Sequence, residues 1–337
     1  MPARDIRSPL PPLRIGPVKI GFPVVQAALA GYSDWPERVI VTRLGAPYTI
    51  AEVMLDQFVV NVSRGKKAGR YIRRTDDEHP CGAQLMGSTA DELAPAARKM
   101  VEAGFDVIDV NFGCPVKKVV GKCRGGYLLG HPKAALEVIR RVRDAVPPAV
   151  PVTVKMRRGI DDSPESRERF FEIFDGAFRL GAAAVTVHGR TVAQRYEGPS
   201  SWDFLREVKQ HAGRRTVLGS GDLFTPQDCL DMIARTGVDG VTVARGVIGN
   251  PWFFRQVRAL AEGRPVPEPC VTEQREVLVE HYRLAEEIYG PRRAGPVMRG
   301  FGIKYARMHP AAEQVRAAFI AVRNPAGWHA LIERWYK

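Results

Sequence analysis

Short apolar runs recur along the chain at near-regular intervals. They are Val24–Ala28, Tyr48–Ala51, Gly82–Leu85, Val107–Val110, Val152–Met156, Ala184–Val187, Thr216–Leu218 and Gly240–Ala244. Their length and β-branched content suit buried strands. Between most of them lies an amphipathic stretch long enough for a helix: Asp91–Ala103, Lys133–Ala145, Ser166–Leu180, Trp202–His211 and Thr225–Arg235. Thr225-Pro226-Gln227-Asp228 is a helix start, with proline at the first helical position. Gly104, Gly181 and Gly237 each sit just past a helix as a stop. Eight strand–helix units predict an α/β fold, a (β/α)8 TIM barrel, rather than an open doubly wound sheet. No Gly-x-Gly-x-x-Gly follows the first strand, so a dinucleotide-binding Rossmann fold loses its main support.

The rhythm stops at Pro251. Pro265, Pro267 and Pro269 mark a linker over residues 263–271. Residues 272–337 show helical spacing only. Val277, Leu278, His281, Leu284, Ala285 and Ile288 share a face, and Ala318, Phe319, Val322, Leu331 and Trp335 continue the pattern. The expected organisation is an irregular arm over 1–20 with one short strand, Leu13–Ile20, then a barrel over 21–262, the linker, and a small all-helical domain.

In a barrel, chemistry sits at the C-terminal ends of the strands. The predicted strands end, in order, on Ala28-Leu29-Ala30, Glu52, Gln84, Asn111 with Cys114, Lys155 with Arg157, His188-Gly189-Arg190, Ser220-Gly221-Asp222, and Ala244-Arg245-Gly246. Any one of these has a plain structural reading; Glu52 pairs with an arginine, or Gln84 caps a turn. Apolar interiors followed by polar ends, in seven of the eight, make coincidence a poor account of the set. The last two ends carry glycines on the strands that usually hold phosphate, where Gly221, Gly246 and Arg245 can form an anion nest. Lys155 has two readings. It forms a Schiff base, or it stays charged against an anionic ring such as a reduced flavin. Gln84 and Asn111 favour the second, because amides hydrogen-bond the edge of a heterocycle.

The stretch from Asp109 to Leu129 holds the densest chemistry. Asn111-Phe112-Gly113-Cys114-Pro115 puts an amide, a glycine and a thiol where a strand gives way to a loop. Lys117, Lys118, Lys122 and Arg124 follow with no acid among them. A thiol under a basic, glycine-containing loop suggests chemistry on something anionic, although free cysteine is commonly just core.

The 337 residues suffice for one large domain and a smaller one, and 45% hydrophobic with 26% charged residues is ordinary for a globular chain. The formal net charge of +13 favours a polyanionic partner. The five cysteines form no Cys-x-x-Cys pair and no metal-like spacing, so no metal site is expected and a reducing cytoplasm is. No signal peptide or membrane-spanning run is legible.

Set side by side, these pieces resemble the dihydrouridine synthase family, flavin enzymes that reduce uridine in RNA. The likeness is carried by Ala30-Gly31-Tyr32-Ser33-Asp34-Trp35-Pro36, Gln84-Leu85-Met86-Gly87, Asn111–Pro115, Val154-Lys155-Met156-Arg157, His188-Gly189-Arg190-Thr191 and Gly246–Trp252. It runs from Pro23 to Phe254. The resemblance implies that reduced FMN passes hydride to C6 of uracil while Cys114, protonated at the start, gives a proton to C5. Asn111 and Arg157 would meet the substrate. Gln84, Lys155 and His188 would contact FMN, with backbone at Ala28, Leu29 and Ala30 against its ring. Ser220, Gly221, Asp222, Ala244 and Arg245 would cradle its phosphate. NADPH, or NADH, would re-reduce the flavin. The partner would be transfer RNA, with ribosomal RNA as the alternative, and the protein a monomer. The family usually has Pro-Met at Ala28-Leu29, Asn at Ser220 and Phe at Glu37. Tyr127 and Cys123 are further departures near the uridine pocket. Ile303-Lys304-Tyr305 replaces the usual Arg-Lys-His.

Two further basic stretches stand out. Arg64, Lys66, Lys67, Arg70, Arg73 and Arg74 follow the second strand, and Arg292, Arg293, Arg299, Lys304, Arg307 and His309 lie in an acid-free stretch from Ile288 to Ala312. With the loop after Cys114 they can line one groove for RNA phosphates. Tyr282, Tyr289, Phe301 and Tyr305 read as core. A flavin enzyme acting on a free small pyrimidine explains the strand ends but not the charge. An RNA-binding module without turnover explains the charge but leaves Cys114 and Lys155 idle.

Overall fold

The computed structural model describes residues 10–55, 59 and 72–337. Arg64, Lys66, Lys67 and Arg70 of the first basic stretch lie outside the described residues, as does the arm before residue 10. The expected single strand near the N-terminus is instead a hairpin of β1 (Leu13–Ile15) and β2 (Val18–Gly21). Gly16, at φ +56°, opens its two-residue Gly16-Pro17 turn, a geometry that a side chain would strain.

Eight parallel strands follow: β3 (Val24–Gln26), β4 (Thr49–Leu55), β5 (Cys81–Met86), β6 (Val107–Phe112), β7 (Val152–Arg157), β8 (Ala184–His188), β9 (Val217–Ser220) and β10 (Gly240–Val243). From β4 to β10 each pairs with the next in the chain, and β10 returns to β3. The remaining seam is bridged where the Gln26 amide donates to the Tyr48 carbonyl at 3.0 Å. This is the expected TIM barrel. Its N-terminal mouth is plugged by the hairpin, whose Leu13, Ile15 and Ile20 pack on Val25, Tyr48, Ile50, Val107, Ala184 and Leu218. One boundary differs from the sequence expectation. Strand β4 runs on to Leu55, and its register slips between Ala51 and Met54. Glu52 therefore lies inside the strand, and its carboxylate accepts the Gly31 amide.

The barrel is wrapped by α1 (Trp35–Arg43), α2 (Ala90–Glu102), a short α3 (Lys117–Val120), α4 (Pro132–Ala145), α5 (Pro164–Arg179), α6 (Trp202–Ala212), α7 (Pro226–Thr236) and α8 (Phe253–Ala261). Proline opens α4, α5 and α7, where its missing N–H costs nothing. Thr225 and Asp228 cap each other's backbone at the start of α7, and Gly237 ends that helix at φ +74°.

Four more helices form a bundle: α9 (Val271–Tyr289), α10 (Pro291–Tyr305), α11 (Ala312–Ala321) and α12 (Pro325–Trp335). Leu278, Tyr282, Met298, Phe301, Tyr305, Phe319 and Trp328 fill its core, so those aromatics are packing residues. The bundle docks on α1 through Leu284 against Trp35, Val39 and Ile40. Polar ties reinforce this seam: Tyr289 donates to Asp34, Arg43 pairs with Glu280 at 2.9 Å, and Arg73 pairs with Glu287. Arg73 also lies 3.9 Å over the Trp35 ring, and Arg74 Nε donates to the Ala103 carbonyl at 3.1 Å. Both arginines of the first basic stretch that are described serve internal contacts. Among the described residues no helix is long and apolar enough to cross a membrane.

Candidate active site

Typical barrel interiors are filled with branched apolar side chains. Here the upper interior is polar. The C-terminal strand ends enclose a cavity of about 290 Å³. Most strand-end residues singled out from the sequence line it: Ala28, Leu29, Ala30, Gln84, Asn111, Cys114, Lys155, Arg157, His188, Ser220, Gly221, Asp222, Ala244 and Arg245, whereas Glu52, Gly189, Arg190 and Gly246 are not among its lining residues. Parallel strands around a closed barrel bring their ends to one rim, which is why residues more than 200 positions apart converge.

Cys114 follows β6 in a tight turn. Asn111 Oδ1 accepts the amides of Gly113 and Cys114 at 2.9 and 3.1 Å. The basic loop then returns, and the Gly126 amide donates to the Cys114 carbonyl at 3.0 Å. Gly125 passes so close that a Cβ there would stand 2.8 Å from the Cys114 Cβ, at a φ of +57°. The loop is thus a roof that only glycine permits. Lys117, Lys118 and Lys122 are exposed on it.

Arg157 is used as a brace. Its Nε donates to the Gly113 carbonyl at 2.9 Å, and Nη1 donates to the carbonyls of Thr191 and Arg195 at 2.7 Å each. It ties the thiol loop to the loop after β8. Gln84 is likewise engaged, donating to Asp109 and accepting from Asn111, both at 2.7 Å.

Lys155, in register with Asn111 on the neighbouring strand, and His188 on the strand after it continue the rim. Burial, with Arg157 beside it, pulls Lys155 down to about 8, while Asp109 and Cys114 pull the other way. Its ammonium has no hydrogen-bond partner among the described residues. Burial and the neighbouring Lys155, Arg157, Arg190 and Arg245 pull His188 down to about 2. His188 is neutral, and its Nδ1 accepts the Arg190 amide at 3.2 Å, which leaves the proton on Nε2.

Strands β9 and β10 end in an anion nest. The amides of Asp222, Arg245 and Gly246 have no acceptor among the described residues. Gly221, at φ +111°, leaves room that a Cβ would fill at 2.4 Å from Ser200 Oγ. The Asp222 carboxylate would repel a phosphate, but Arg190 pairs with it at 2.8 Å, the Ser200 amide donates to it at 2.7 Å, and Arg245 stands 3.5 Å away. Thr242 Oγ1, buried and without a partner, lines the same cavity. Free amides, a desolvated ammonium and an orphan hydroxyl suit a phosphate-bearing heterocycle, so the residues present fit FMN.

Sequence reasoning missed Tyr196, Phe224, Val53 and Thr242, which also line the cavity. Tyr196 and Phe224 are exposed and flank the Arg245 guanidinium, at 5.0 and 4.8 Å from the ring centres. Their signal was faint: an aromatic in each of two loops that follow a polar strand end. In the second basic stretch, Arg292, Arg293, Arg299 and Lys304 are exposed. Arg307 donates to the Gly246 carbonyl at 2.9 Å, and His309 is buried against the Trp335 carbonyl at 2.8 Å.

Known proteins resemble this chain in sequence and in fold. The family model described as "Dihydrouridine synthase (Dus)" matches residues 25–334, so the likeness extends through the helical bundle. A protein of Rickettsia typhi named "Probable tRNA-dihydrouridine synthase" is 32% identical, over 96% of this chain and 97% of its own. The "tRNA-dihydrouridine synthase B" of Pseudomonas putida is 34% identical, over 93% of this chain and 90% of its own. Among solved structures, histamine dehydrogenase from Rhizobium sp. 4-9 shares the fold at 16% identity and TM-score 0.60, covering 82% of this chain and 51% of that one. Morphinone reductase does so at 14% identity and TM-score 0.56, covering 77% of this chain and 92% of its own. Matched from the first barrel strand into the last helix, and aligned almost end to end with these relatives, the chain belongs to the dihydrouridine synthase family.

Proposed function

We propose that this protein reduces the C5–C6 bond of a uridine in transfer RNA, with Cys114 as the proton donor to C5. The observation that carries the reading is the convergence of the Cys114 thiol, the unpartnered Lys155, neutral His188 and the free amides after β9 and β10 in one cavity. FMN held there, and reduced by NADPH or NADH, would supply hydride to C6 of the uracil.

The chain's own residues do the rest. The amides of Asp222, Arg245 and Gly246 bind the phosphate, and Lys155 and His188 donate to the ring. The Cys114 thiol starts protonated, gives its proton to C5, and regains one from solvent. Asn111 and the Arg157 guanidinium orient the uracil. A uridine within folded RNA is out of reach until it is turned out of its stack into the pocket. Exposed Lys117, Lys118 and Lys122 on the barrel, and Arg292, Arg293, Arg299 and Lys304 on the bundle, supply the phosphate contacts that hold the RNA. In this reading barrel residues 21–262 do the chemistry, 272–337 grip the RNA, and the protein works as a cytoplasmic monomer.

The test is spectroscopic. The purified protein, reconstituted with FMN, should bleach with NADPH and regain colour on addition of transfer RNA lacking dihydrouridine, with dihydrouridine formed. A flavin that bleaches and ignores RNA but reoxidises with free uracil would transfer the reading to a small pyrimidine substrate. A protein that binds RNA yet never binds flavin would leave a binding module.

A further inference from the structure

Three neighbouring strands carry a chain of polar side chains through the barrel interior. Gln84 on β5 stands in register with Asp109 on β6, and Asp109 with Thr153 on β7. Thr153 Oγ1 donates to Asp109 Oδ1 at 2.6 Å, and Gln84 Nε2 donates to Asp109 Oδ2 at 2.7 Å. Asn111 Nδ2 donates to Gln84 Oε1 at 2.7 Å, and Asn111 Oδ1 accepts the amides of Gly113 and Cys114. Asp109 and Gln84 are 2% and 1% exposed, so water does not substitute for any of these partners.

The order of donors along this chain is not free. A carboxylate accepts only, so Gln84 must turn its nitrogen to Asp109 and its oxygen to Asn111. Asn111 must then turn its nitrogen to Gln84 and its oxygen to the thiol loop. One Nδ2–H of Asn111 is left for the cavity it lines. A proton on Asp109 would sit on the Thr153 side, because a hydroxyl reverses at no cost while an inverted Gln84 would face Asn111 nitrogen to nitrogen.

We propose that Asp109 is a positioning residue that sets the polarity of this relay, holding the Cys114 loop in place and presenting Asn111 to the substrate as a hydrogen-bond donor. This rests on the proposed function only for the word substrate; a uracil carbonyl is the acceptor it would meet. The hold on the thiol loop is independent of what is bound.

The test inverts the relay. The reference is the full chain with exposed Cys123 and Cys270 replaced by alanine, without flavin or RNA. The readouts are the rate of Cys114 alkylation by iodoacetamide and the thermal midpoint. Asp109→Asn keeps the relay, since the new amide can accept from Gln84 and donate to Thr153; its alkylation rate should stay within about threefold of the reference. Asn111→Asp faces oxygen against Gln84 oxygen, and should speed alkylation about tenfold or more and lower the midpoint. Asp109→Asn with Asn111→Asp lets Gln84 invert, donating to the new carboxylate and accepting from the new amide. That double variant should recover most of both losses, and should fold even where Asn111→Asp alone does not. Losses that simply add in the double variant, or an Asn111→Asp chain indistinguishable from the reference, would overturn the relay. Neither readout involves uridine reduction, so failure here and failure of the proposed function are separate results.

Discussion

Gly249 and Lys304 meet backbone to backbone. A Cβ on Gly249 would stand 2.4 Å from the Lys304 carbonyl carbon and oxygen, and Gly249 has φ +74°. The contact seats the end of α10 on the loop after β10, three residues from the free Gly246 amide. Gly249→Ala meets both the clash and the left-handed backbone. It should cost about 2–4 kcal/mol, read as a lower urea midpoint.

Arg38 and Glu78 form a pair that water does not reach. Arg38 Nε donates to Glu78 Oε1 at 2.9 Å, with side chains 2% and 0% exposed. Arg38 also donates to the carbonyls of Ser33 and Arg73. Glu78→Ala strands a buried guanidinium and should destabilise by about 3–5 kcal/mol in denaturant unfolding. Replacing both partners with apolar residues of similar volume should cost much less.

The seam between barrel and bundle contains two groups that burial keeps neutral. His281 is pulled down to about 3, and Glu37, 3.8 Å away with Asp34 nearby, is raised well above the usual carboxylate range. Tyr305 faces His281 at 3.2 Å. Between pH 6.5 and about 3 the unfolded chain binds the His281 proton and the folded chain does not, so stability falls on acidification. His188 acts in the same direction. Glu37 has the opposite sign: above the ordinary carboxylate pKa the unfolded chain sheds a proton that the folded chain keeps. Glu37→Gln should therefore raise the thermal midpoint at pH 7 and do little at pH 4. His281→Phe should blunt the loss of stability between pH 6 and 4.

Lys155 is charged below and neutral above about pH 8. Flavin affinity, followed by fluorescence quenching, should weaken as pH rises through that value. Lys155→Met should bind about tenfold more weakly at pH 7 and lose that step.

Cys114→Ala tests the proton donor directly. Dihydrouridine formation should fall about a hundredfold or more, the usual worth of a general acid. NADPH-dependent bleaching and RNA binding should survive. Unchanged turnover would assign the proton to another group.

The sequence made the barrel legible because its signals are local and repeated. A β-branched run, a capped amphipathic helix and a glycine stop recur with each unit, and Thr225-Pro226 announces α7 without any tertiary knowledge. The cavity lining was legible for the same reason, since a polar residue ending an apolar strand is visible in one dimension. Less legible was what each polar atom does. Arg73 looks like a free cation in a basic stretch and Arg157 like a substrate contact at a strand end, yet one pairs with Glu287 and the other with three carbonyls.

Fold class and strand ends follow from the order of residues, because periodicity and turn chemistry act over a few positions. Partners do not, because they are set by chain closure. Only when β5, β6 and β7 lie side by side does Asp109 dictate which way Gln84 and Asn111 turn. Only when the barrel closes do Tyr196 and Phe224 meet across Arg245 at one rim. A hydrogen bond has direction, and direction depends on neighbours that the linear chain keeps far apart.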